Sequence, residues 1–69
     1  MVDMAMLKSH IDDSGMTMVA VAEKSGMKRE TLYNRLNGIG EFTASEISGL
    51  RSALRLTNKQ SEQIFFTKG

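Results

Sequence analysis

Apolar residues recur along this chain at helical spacing, in short runs separated by single glycines. Met4, Leu7 and Ile11 fall at i, i+3 and i+7, one stripe of a first helix over about Asp3–Ser14, with Gly15 placed to end it. Thr17 is a good amino-terminal cap for a second helix, which turns Val21 and Ala22 inward with Met18 or Val19 alongside. Gly26 supplies a positive φ for a tight turn, and Met27 plugs the corner. Leu32 and Leu36 make the buried stripe of a third helix, about Lys28–Asn37, stopped by Gly38.

The fourth helix has the clearest start signal. Thr43 with Glu46 reads as a capping box, and Phe42 with Ile47 as a hydrophobic staple. Ile47, Leu50 and Leu54 continue inward, while mid-helix Gly49 costs about 1 kcal/mol relative to alanine and marks either a close helix contact or a tolerated weakness. Thr57 with Gln60 is a second capping box and opens a fifth helix carrying Ile64, Phe65 and Phe66. Three consecutive positions sweep about 200° of a helix, so at least one phenylalanine is expected outside the core or against a partner. The pattern predicts an all-α, five-helix domain over residues 1–69, with no strands and no linker.

Composition narrows how such a domain can be stabilised and what it can do. The 69 residues contain no cysteine and no proline, which removes disulfides and cysteine zinc sites, and the single histidine, His10, is expected to be an ordinary, partly exposed side chain. No apolar run approaches the roughly 18–20 residues of a membrane span, and Asp3 and Lys8 interrupt the apolar start, so no signal peptide is expected and the location expected is cytoplasmic. No catalytic constellation is legible. Asp12 and Asp13 are adjacent and point about 100° apart, and no histidine or carboxylate is spaced to activate a serine, threonine or lysine. No enzyme activity, cofactor, metal or small-molecule ligand is expected.

The net charge of +1 is uninformative, but its distribution is not. Lys8 against Asp3, Asp12, Asp13 and Glu23 sums to −3 over residues 1–23. Lys24, Lys28, Arg29 and Arg35 against Glu30 sum to +3 over residues 24–35. The positive charge therefore peaks on the third helix, whose outward side carries Lys28, Arg29, Glu30, Tyr33 and Asn34. Helix, tight turn, and second helix with a polar outer face is the pattern of a helix-turn-helix, here at about residues 17–37, in which the second helix enters the major groove of DNA. Lys28 cannot cap its own helix, which leaves amino-terminal N–H groups that a phosphate could satisfy.

Residues 15–38, GMTMVAVAEKSGMKRETLYNRLNG, resemble the Xre-like helix-turn-helix family that includes the phage lambda repressor and Cro. The matching positions are Thr17, Val21, Ala22, Gly26, Met27, Arg29, Thr31, Leu32 and Asn37–Gly38. The later runs GEFTASEI, LRLT and IFF look more specifically like small phage and prophage regulators. The resemblance implies sequence-specific binding of double-stranded DNA by a repressor- or Cro-like transcriptional regulator, as a homodimer. It implies base contacts from Arg29, Glu30 and Asn34 with Lys28 and Tyr33 adjacent, and phosphate contacts near Thr17, at Asn37 and in the backbone after Gly38. Arginine can bond guanine bidentately, glutamate can accept from cytosine, and asparagine can pair with adenine. Glu30 fits either base readout or an orienting contact to Arg29. Met18 departs from the family's glutamine, and Ser25 and Arg35 stand where the family is commonly apolar and buried. Arg35 is expected to extend outward to phosphate while Leu36 takes its place in the core. Phe65 and Phe66 are the expected dimer contact. The competing expectation is a protein-interaction module on the same fold, antitoxin-like or anti-repressor, without DNA binding of its own.

Overall fold

The computed structural model describes residues 2–66. They form five helices, α1 (Met4–Asp13), α2 (Met18–Ser25), α3 (Arg29–Leu36), α4 (Ala44–Ala53) and α5 (Asn58–Phe65), and no strand among the described residues. Four of the five begin on a side-chain cap. Asp3 accepts from the Met6 N–H at 3.0 Å, Thr17 from Ala20 at 3.1 Å, Thr43 from Glu46 at 3.1 Å and Thr57 from Gln60 at 3.1 Å. Both expected capping boxes are complete, because the Glu46 and Gln60 side chains return to the Thr43 and Thr57 N–H groups at 2.9 Å. α3 alone lacks a side-chain cap bond, since its cap residue is Lys28.

Three of the helices, α2, α3 and α4, end by a shared device. At Gly26, Gly38 and Arg55 the chain adopts a positive φ, and the next N–H reaches back to a carbonyl five residues earlier. Met27 donates to Ala22 at 2.9 Å, Ile39 to Asn34 at 2.8 Å and Leu56 to Arg51 at 2.9 Å. Glycine makes the first two legible in the sequence. The third uses Arg55 at φ 53, so the end of α4 and the return of Leu56 into the core carry no sequence signal.

One core joins the elements. Leu7 and Ile11 of α1, Val21 and Ala22 of α2, Leu32 and Leu36 of α3, Leu50 of α4, and Ile64 and Phe65 of α5 are all buried, as is Leu56 between α4 and α5. α4 packs chiefly on α2, α3 leans on α2, and α1 meets α5. Gly49 marks a close helix contact: a side chain there would run into the Ser25 backbone at the end of α2. Ser25 is buried, as its position in the motif predicted for an apolar residue, and its hydroxyl is satisfied by donating to the Val21 carbonyl. The start of the chain is tied to α5 by the Asp3 N–H, which donates to the Ile64 carbonyl at 2.7 Å.

The three aromatic residues of the scaffold separate as helical geometry requires. Phe65 is buried and packs edge-on against Phe42, with ring centroids 5.6 Å apart. Phe66, one position on, is 63% exposed. The expected contact surface of Phe65 and Phe66 is thus corrected to Phe66 alone, because Phe65 is committed to the core. No described helix is long and apolar enough to cross a membrane.

Candidate nucleic-acid interface

α3 is placed by its apolar side. Leu32 and Leu36 are buried, which fixes the rotation of the helix about its axis and decides what faces outward. Lys28, Arg29 and Glu30 are exposed at its amino end, Tyr33 is 45% exposed one turn later, and Asn34 is half-buried beside it. The five side chains expected to face bases therefore lie on α3 and its cap residue, four of them exposed. Asn34 is the most recessed.

Arg29 has a partner that the sequence did not suggest. Its guanidinium carbon lies 5.9 Å from the centroid of the Tyr33 ring, one turn along the same face. An orienting contact with Glu30 is not formed; the nearest aromatic face to Arg29 is the Tyr33 ring. A guanidinium placed over a ring keeps N–H groups free for further hydrogen bonds.

Thr17, at the start of α2, is exposed, and its oxygen accepts from the Ala20 N–H while the hydroxyl proton remains available to an acceptor. Asn37, at the end of α3, is exposed as well. Arg35 does not join them. Its Nε donates to Glu46 Oε1 at 3.1 Å and its Nη1 to the Ile39 carbonyl at 3.2 Å, with both charged side chains largely shielded from solvent. The expectation that Arg35 reaches phosphate is corrected: a carboxylate and a carbonyl lie within its reach on the protein itself, and Leu36 fills the core beside it. The positive charge left on the open face comes from Lys28 and Arg29, with Lys24 exposed on α2.

A depression of about 260 Å³ brings further residues to this face. Tyr33 and Asn37 line it together with Lys8 and Asp12 of α1 and Met18 of α2, over a floor of Ile11 and Leu36. Nothing in the sequence singled out Lys8 or Asp12 for this neighbourhood, because α1 reaches it only through tertiary packing. Met18 contributes apolar surface there and packs against the core, whereas Val19 points outward at 45% exposure.

Among the described residues no group of His, Cys, Asp and Glu side chains is arranged to hold a metal ion. Comparison of the chain with family models, with curated proteins and with solved structures finds no match. What stands is the geometry: a helix with a two-leucine buried stripe whose outer side, over nearly two turns, carries lysine, arginine, glutamate, tyrosine and asparagine.

Proposed function

We propose that this protein binds double-stranded DNA in a sequence-dependent way and regulates transcription by occupying its site, with α3 in the major groove. The observation that carries the reading is the outer face of α3. Arg29, over the Tyr33 ring, and Glu30 stand exposed on a short helix that follows a left-handed turn at Gly26, beside Lys28. Side chains of these types match the hydrogen-bonding edges of base pairs, and a helix about 10–12 Å across fits the major groove. Thr17 and Asn37 flank that face and suit phosphate contacts that fix register. The resemblance of residues 15–38 to the Xre-like family supports the same reading.

A homodimer belongs to this proposal. Two copies would present their α3 helices about 34 Å apart to read half-sites one turn apart. Phe66 is the exposed aromatic side chain that could join them.

Selection of bound duplexes from random-sequence DNA tests the proposal. A recovered motif with two-fold symmetry is expected, and Arg29→Ala is expected to lose preference at one base pair per half-site, at a cost of about 1–3 kcal/mol. Recovery of no motif would contradict sequence-dependent binding. A second reading, a protein-interaction module on the same fold, is favoured by one observation: Ile39, immediately after α3, is 60% exposed. Failure of the selection together with stable capture of a protein partner through Ile39 and Tyr33 would replace the first reading with the second.

A further inference from the structure

The recognition helix of the proposed interface is not held at both ends in the same way. At its amino end it leans on α2 through the turn at Gly26. At its carboxyl end it makes little direct packing with α4, the next helix in the chain. Beside the buried Leu36, that end carries a polar bridge. Arg35 Nε donates to Glu46 Oε1 at 3.1 Å, and Arg35 Nη2 lies 3.5 Å from Glu46 Oε2. Arg35 Nη1 donates to the Ile39 carbonyl in the intervening turn. Glu46 Oε1 also accepts from the Thr43 N–H, so the same carboxylate starts α4 and grips α3. The turn is shaped around the guanidinium. Gly40 has φ +74, which favours glycine, and the Arg35 guanidinium lies where a side chain at that position would go.

We propose that Arg35 and Glu46 are positioning residues for DNA recognition: they fix the angle between α3 and α4, and with it the direction in which Arg29, Glu30 and Tyr33 are presented. The inference rests on the DNA-binding reading above. It assigns Arg35, a cation in the most basic stretch of the chain, to work inside the protein rather than at phosphate. A paired, hydrogen-bonded, partly shielded charge network has one favoured geometry, which suits it to setting an angle that apolar contacts alone leave loose.

The test uses the full chain with Arg35→Gln, Arg35→Lys and Glu46→Gln, binding both the duplex selected by the wild type and a mixed-sequence duplex across a salt series. Glu46→Gln is the decisive variant, because glutamine preserves the capping box while breaking the ion pair. Removing a negative charge from a DNA-binding protein should, by electrostatics alone, tighten binding. Positioning requires the opposite: both Gln variants are expected to bind the selected duplex about five- to tenfold more weakly. Their salt slopes should match the wild type, and Arg35→Lys should recover part of the loss. Glu46→Gln binding as tightly as the wild type or more tightly would overturn the inference. So would an Arg35→Gln salt slope shallower by about 0.9, the mark of a lost phosphate contact. A wild-type protein that binds neither duplex would overturn the DNA-binding reading itself, and this inference with it, and is distinguished by appearing before any substitution is made.

Discussion

Gly49 lies against Ser25 so closely that a Cβ on the glycine would sit 2.8 Å from the Ser25 carbonyl carbon and closer still to its oxygen. α4 and α2 therefore meet backbone to backbone at this point, beneath the start of the turn that launches α3. Helix propensity argues that alanine at position 49 should stabilise α4 by about 1 kcal/mol. The contact argues the reverse, since the obstacle is main chain rather than a movable side chain. Gly49→Ala is expected to lower stability by about 2 kcal/mol or more, read by urea unfolding. A gain would show that the two helices separate freely.

Arg55 makes the complementary case. It holds φ 53 at the end of α4, where the two equivalent terminators are Gly26 and Gly38. A left-handed side-chain residue is strained by about 1–2 kcal/mol, partly offset by the entropy glycine loses on folding. Arg55→Gly is expected to raise stability by about 0.5–1 kcal/mol in the same measurement. A loss would mean that the arginine side chain makes a compensating interaction.

These two positions show what the sequence could and could not reveal. Thr43–Glu46, Thr57–Gln60 and Gly26 announce helix ends because their chemistry is local, and each forms as expected. Leu32 and Leu36 four apart are enough to define the buried side of α3, hence its outer face. Arg55 imitates a glycine, which no local rule anticipates. The role of Arg35 is illegible for a different reason: its partner Glu46 is 11 residues away, on the far side of a turn whose path the sequence leaves open. Lys8 and Asp12 join the Tyr33 side of α3 without a sequence signal, because α1 reaches it only once the core has formed.

The Arg35–Glu46 pair also carries a pH signature. Burial alone would raise the Glu46 carboxyl, but the Thr43 N–H bond and the bonds and charge of Arg35 outweigh it and hold the group below its ordinary value of 4.5. A carboxyl lowered by folding stabilises the protein above its unfolded value, and that contribution is lost as pH falls through the folded value. The melting temperature of the wild type is expected to exceed that of Glu46→Gln by a constant margin near neutrality, with the margin closing below pH 4.5. A margin independent of pH would assign the difference to packing rather than charge.

Phe65 and Phe66 should separate cleanly on substitution. Phe65 is 3% exposed and packs edge-on against Phe42, so Phe65→Ala is expected to cost about 3–5 kcal/mol of folding stability. Phe66→Ser is expected to leave the melting temperature of the monomer nearly unchanged and to weaken self-association, read by sedimentation over a concentration series. Equal effects of the two on folding would remove Phe66 from consideration as a contact between copies.

The claim on which the functional reading depends is that α3 meets a polyanion. It is tested most directly by the salt dependence of DNA binding, measured for the wild type and for Lys28→Ala on mixed-sequence duplex. Binding is expected to fall steeply with salt, with a log–log slope of about −0.9 per phosphate neutralised, and Lys28→Ala should make that slope shallower by about one contact. No measurable affinity at low salt, or an affinity indifferent to salt, would contradict a DNA-binding role for this face.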